Sequence, residues 1–157
     1  MQVKKLRKSM SRKYEFKHPI PDGHYRADAF TVRCVDNRFW KTFKRFIRFK
    51  KYEDIDPKSP AGGAKVFSSP VRISVREHYL QEIALSRKLH HIKRVMLFTH
   101  HDCGAYGGIQ RFGGDENKEL AFHIKEHEKA RRVVRARFPR LSVETYFMDR
   151  KGVIRTS

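Results

Sequence analysis

Residues 94–99, Arg-Val-Met-Leu-Phe-Thr, form an almost uninterrupted apolar run. A strand of this composition has to be covered on both faces, which is the situation of a parallel sheet sandwiched by helices. The flanking sequence supplies both the other strands and the helices. Ala29-Phe-Thr-Val-Arg-Cys-Val35 alternates and is β-branched, so it reads as a strand. Asp36-Asn37 can cap the segment that follows, in which Phe39, Phe43, Phe46 and Phe49 recur near helical spacing between lysines and arginines. That pattern predicts an amphipathic helix with its rings in the core and its charges in water.

The rest of the chain continues the alternation. Residues 53–63, EDIDPKSPAGG, read as loop, and Ala64-Lys-Val-Phe67 as a short strand. Ser74-Val-Arg-Glu77 has the pattern of a capping box and predicts a helix to about His91, with Val75, Tyr79, Ile83 and Ala84 on one side. Lys118 to Phe138 reads as a second long helix, ended by Pro139. Ser142 to Met148 alternates as a last strand, followed by a turn at 149–152 and a short Val153-Ile154 tail. Strands alternating with helices predict a single α/β domain with an open, mainly parallel sheet flanked by helices. The domain should span 19–157, behind a basic and flexible arm at 1–18.

Composition narrows the function classes. Of 157 residues, 39% are hydrophobic, below the usual ~45–50%, yet twelve Phe, six Tyr and one Trp can build a core. No apolar run approaches the roughly 18 residues of a membrane span. The basic start, MQVKKLRKSMSRKYEFK, has no apolar stretch behind it, so a secretory signal is not expected. Two cysteines, Cys34 and Cys103, exclude a disulfide-dense scaffold, and the expected location is the reducing cytoplasm. The net charge is +19. Seven Lys/Arg against Glu15 in residues 1–18 account for six of those charges, so the basic character is global. Such a field attracts anions, and the arm is expected to bind polyanions weakly.

In an open α/β sheet the site lies beyond the carboxyl ends of the strands. Two polar clusters land there: Cys34-Val-Asp36-Asn-Arg38 after the first strand, and His100-His101-Asp102-Cys103 directly after the apolar one. Two thiolates and one imidazole suit zinc, and three protein ligands leave a fourth position for water. Gly104 would let the loop backbone come close. Two thiolates neutralise the ion formally, which weakens its acidity compared with a site of three histidines. A carboxylate could then accept a hydrogen bond from the bound water, and Asp36 is the candidate, held ionised by Arg38. The alternatives are that both cysteines are small buried hydrophobes and Asp36 a helix cap, or that the cysteines form one bridge.

Cys34-x-Asp36-x-Arg38 with His100-x-x-Cys103-Gly104 resembles the signature of the β-class carbonic anhydrases. Residues 74–105 resemble that family's helix, apolar strand and His-x-x-Cys-Gly-Ala loop without a gap. Ala61-Gly62-Gly63 resembles its Ala-Gly loop near the site, and Val143 to Val153 its closing strand and turn. The resemblance covers roughly residues 28–154. It implies zinc bound by Cys34, His100 and Cys103, with water or hydroxide in the fourth position and Asp36 with Arg38 as the orienting dyad. It implies reversible hydration of CO2 to bicarbonate and a proton, a closed state with Asp36 on the metal, and a homodimer or a multiple of dimers with the site at the interface. The departures are a shorter chain, a basic segment in place of a helical arm, Lys58-Ser-Pro-Ala-Gly-Gly63 without the usual arginine, Thr99 in place of a glycine, and His101 in place of a serine.

Other residues attract weaker readings. His101, next to a ligand, is a candidate proton shuttle. His123 and His127 have a spacing that can bind metal, but a solvated or core-edge pair is the expectation. His90 and His91 sit at a helix end, where the carbonyl dipoles favour them. Two rival functions remain: hydrolysis of a CO2-like molecule such as carbonyl sulfide or carbon disulfide at the same site, and a basic nucleic-acid or surface binder with a structural zinc closed by Asp36.

Overall fold

The computed structural model describes residues 12–157. The first eleven residues of the basic arm lie outside the described residues, and 12–18 are exposed with no regular secondary structure. Five strands, β1 (Ala29–Val32), β2 (Ile55–Lys58), β3 (Arg94–His100), β4 (Ser142–Met148) and β5 (Val153–Arg155), form one sheet in the order β2-β1-β3-β4-β5. All neighbours are parallel except β4 and β5. The central pair is in register at Thr31↔Met96, and the long β3–β4 ladder runs from Arg94↔Ser142 to His100↔Met148.

Strand alternation divides the core into two layers. Phe30, Val32, Val95 and Leu97 point to the face covered by α2 (Lys65–Ser68), α3 (Ile73–His90) and α4 (Glu116–Arg137). Ala29, Met96, Phe98, Tyr146 and Met148 point to the face covered by α1 (Trp40–Phe49). Phe43 of α1 meets Phe98 edge-on at 5.2 Å. A fully buried ring of this kind contributes about 1.5–3 kcal/mol through burial. Phe39 and Phe43 are buried as the spacing predicts, whereas Phe49, on the last turn of α1, is 79% exposed.

Four local expectations change. Within the predicted 53–63 loop, Ile55–Lys58 forms β2. Pro57 disguises it, and an edge strand is where a sheet tolerates a residue without an N–H. The expected strand at 64–67 is instead the single helical turn α2, which begins where Gly62 and Gly63 adopt φ of +82° and +56°. Ser74 does not cap α3. The helix starts two residues earlier than a Ser74 cap would give, with extended Arg72 at its N-cap and no capping side chain. The Val153-Ile154 tail is β5, paired antiparallel with β4. By contrast, Asp115 does cap α4, accepting from the N–H groups of Asn117 and Lys118.

The connections create the crevice. From β1 the chain passes through α1 to β2 on one side, then through α3 to β3 on the other. The carboxyl ends of β1 and β3 therefore diverge at a point where the strand order reverses, the position at which open α/β sheets place their sites.

Candidate metal centre

Cys34 lies two residues past β1, and His100 ends β3 with Cys103 three residues on. Their ligand atoms all fall within 4.8 Å of one another, and all three residues are buried. The two sulfurs are 3.9 Å apart and belong to free thiols. This is close to the ~3.8 Å edge of a tetrahedron built on metal–sulfur bonds of about 2.3 Å.

His100 is presented as a ligand. Its Nδ1 donates to the His101 carbonyl at 2.8 Å, so the lone pair resides on Nε2. That Nε2 is buried and has no hydrogen-bond partner. An unpaired buried nitrogen is costly, and a metal ion facing it would remove the cost. Phe39 packs against the ring at 4.5 Å.

The thiols are poised as well. The hydrogen bond from Cys103 is the main cause of a lowered pKa at Cys34, while the same contact and burial push Cys103 up. The Gly62 N–H donates to Cys34 Sγ at 3.2 Å, stabilising the thiolate. The predicted Ala61-Gly62-Gly63 loop thus does lie against the cluster, with Ala61 at its exposed end. A Cβ on Gly63 would sit 2.1 Å from the Phe98 carbonyl and 2.9 Å from the Cys34 amide. The close backbone approach expected at Gly104 is found at Gly63 instead, since a Cβ on Gly104 meets nothing within 4 Å.

Asp36 and Arg38 form a paired contact. Arg38 Nη2 and Nε donate to Asp36 Oδ2 at 2.7 and 3.0 Å, and the Arg38 backbone N–H donates to Oδ1 at 2.9 Å. The Arg38 hydrogen bonds hold the Asp36 carboxyl down at about 2. Asp36 Oδ2 is also 3.8 Å from His100 Nε2, so the carboxylate stands beside the cluster while its charge is engaged by the guanidinium. Sequence reasoning missed the second half of this arrangement. Arg38 also reaches the other loop, donating to the Asp102 carbonyl at 3.0 Å and to its carboxylate at 3.2 Å. One side chain ties the two clusters together.

His101 is buried, and its Nδ1 donates to Glu119 Oε2 at 2.6 Å. Its ring lines a cleft of about 350 Å³ together with Glu116, Leu120, Phe147, Asp149 and Lys151. His123 and His127, expected as a solvated or core-edge pair, are fully buried on α4. Burial pulls their pKa down to about 3 and about 4, so both are neutral. His127 bridges Thr99 and Thr156 at 2.8 and 2.7 Å.

A family model described as "Putative carbonic anhydrase" matches residues 26–156. The chain belongs to this family. The carbonic anhydrase fold is independently visible in solved structures. The carbonic anhydrase from Glaciozyma antarctica superposes with a TM-score of 0.56 at 14% identity, over 85% of this chain and 84% of that one. The β-carbonic anhydrase isoform I of Trichomonas vaginalis gives 0.57 at 11% identity, over 89% and 87%. Among sequence relatives, an uncharacterized protein of Rickettsia bellii is 29% identical over 132 residues, 82% of this chain and 80% of its own length. This carbonic anhydrase family member therefore has a β-class fold, with a Cys34–His100–Cys103 cluster able to hold a metal ion. No helix of the described residues is long and apolar enough to cross a membrane.

Proposed function

We propose that the chain is a zinc-dependent carbonic anhydrase that interconverts CO2 with bicarbonate and a proton. The observation that carries this reading is the unpartnered Nε2 of His100, facing two thiols and flanked by a carboxylate that Arg38 engages. The donor set is one zinc favours, and three protein ligands leave a position open. Zinc held by Cys34, His100 and Cys103 supplies Lewis acidity, which makes water nucleophilic near neutral pH.

The chain's own groups do the rest. Asp36, fixed by its contacts to Arg38, has lone pairs left to accept a hydrogen bond from the reacting water. It thereby orients that water's free electron pair toward CO2. Arg38 removes the incentive for Asp36 to ligate the metal itself. The excess of cations draws bicarbonate in the reverse direction. A reducing cytoplasm keeps both thiols available. The test is metal analysis combined with stopped-flow CO2 hydration on one preparation. One zinc per chain with hydration is expected; full zinc without hydration at any pH favours a structural metal.

The active form in this reading is a homodimer or a multiple of it. Val35, beside a proposed ligand, and Val71 and Ile73, at the head of α3, are more than half exposed. Apolar side chains at such positions are expected to meet a partner. Light scattering at micromolar concentration should report at least twice the 18.7 kDa chain mass. A stable monomer with full activity contradicts it.

A further inference from the structure

The two departures around His100, Thr99 and His101, each have a partner on α4, and the partners lie on one stripe of that helix. Thr99 Oγ1 pairs with His127 Nε2, and His101 Nδ1 with Glu119. Glu119 and His127 are eight residues apart, two turns, so they share a face. Glu119 is itself 1% exposed. Its second oxygen, Oε1, accepts the backbone N–H of Asp102 at 2.7 Å.

Those contacts bear on the ligands. The peptide between His101 and Asp102 is held on both sides: its carbonyl accepts from His100 Nδ1, and its N–H donates to Glu119. Asp102, the next residue, has φ of +54°, the left-handed region, which is uncommon outside glycine although Asp enters it more readily than most residues. Glu119 is the buried group that holds the N–H side of this turn. Ile109 N–H and Arg38 hold the Asp102 carboxylate from the side.

We propose that Glu119 is the positioning residue of the metal centre. Bridging His101 and the Asp102 amide, it sets the carbonyl that fixes the His100 tautomer and the turn that delivers Cys103. This rests on the metal-binding reading of Cys34, His100 and Cys103. Groups that orient ligands from behind are worth about 10–100-fold in metal affinity.

The test uses the full chain, with Co(II) as a spectroscopic probe and a chelator competition for Zn(II). Wild type should show the intense visible bands of tetrahedral Co(II) and the thiolate-to-metal transition; if it shows neither, the metal reading fails before this one is reached. Glu119→Gln keeps the length and an acceptor oxygen for the Asp102 amide, and should stay within a few-fold of wild type. Glu119→Asp keeps the charge but shortens the reach, and should weaken Zn(II) binding about tenfold with altered Co(II) bands. Glu119→Ala should lose about 10–100-fold. Val134→Ala, a buried α4 position away from the loop, should lower thermal stability and leave affinity and spectrum unchanged. Equal binding by wild type and Glu119→Asp overturns the proposal, as does a Gln variant as impaired as the Asp one. Should Glu119→Ala not fold, the Gln and Asp pair decides alone.

Discussion

Cys103→Ser should leave the chain without bound metal and without measurable CO2 hydration. Cys103 is 2% exposed and stands 3.9 Å from Cys34. A serine hydroxyl at this buried position stays protonated at neutral pH, and zinc prefers sulfur and nitrogen to it in such a site. The loss should exceed the 10–100-fold typical of an outer partner, because a ligand itself is removed. Metal content after dialysis against chelator and stopped-flow hydration measure the two effects. The melting temperature should fall toward that of the metal-free wild type, since binding energy at such a site is also folding energy. A serine variant that keeps one zinc per chain would show that another side chain completes the set.

Arg38→Ala should act differently, retaining zinc while hydration falls on the order of 10²-fold, the usual cost of one preorganised electrostatic group. The guanidinium makes its contacts from a half-exposed position, so the chain tolerates its removal. What is lost is the competition for Asp36. With no bidentate partner, the carboxylate 3.8 Å from His100 Nε2 is free to become a fourth ligand and close the site. The variant should recover part of its activity as pH rises, because hydroxide competes better with the carboxylate. Normal hydration by Arg38→Ala would refute the orienting dyad. Loss of zinc would show instead that Arg38's grip on Asp102 holds the second loop in place.

The elements and residues that were legible in the sequence share a property: their signal is local. The apolar run of β3 needs cover on both sides whatever the rest of the chain does, and Cys34, His100 and Cys103 lie at strand ends or within three residues of them. Asp36 and Arg38 are two residues apart. The features that escaped depend on what arrives from elsewhere. β2 contains Asp56 and Pro57, which read as turn residues; Asp56 becomes a buried strand residue because Ser86, Tyr25 and His90 converge on it. Val66 and Phe67 are β-formers by propensity, but the left-handed glycines before them wind the backbone into a helical turn. His123 and His127 read as a solvated or core-edge pair because polarity alone cannot tell water from a buried surrounding such as the Thr99 that His127 meets. The third contact of Arg38, to Asp102, joins loops 64 residues apart.

The separation of 69 positions between Cys34 and Cys103 also bears on the order in which the site can be assembled. A metal bridging them acts as a staple across a long loop, a constraint worth roughly 4 kcal/mol against the unfolded chain by the chain-entropy relation for cross-links. That gain is available only after β1 and β3 have paired, and pairing so far along the chain is a slow step. During synthesis Cys34, β1 and α1 leave the ribosome long before His100 and Cys103 exist. In the metal-binding reading, the first thiol therefore waits as a solitary ligand until the second strand arrives. An ion held by Cys34, His100 and Cys103 would then be captured by strands already paired, and would hold that pairing in place.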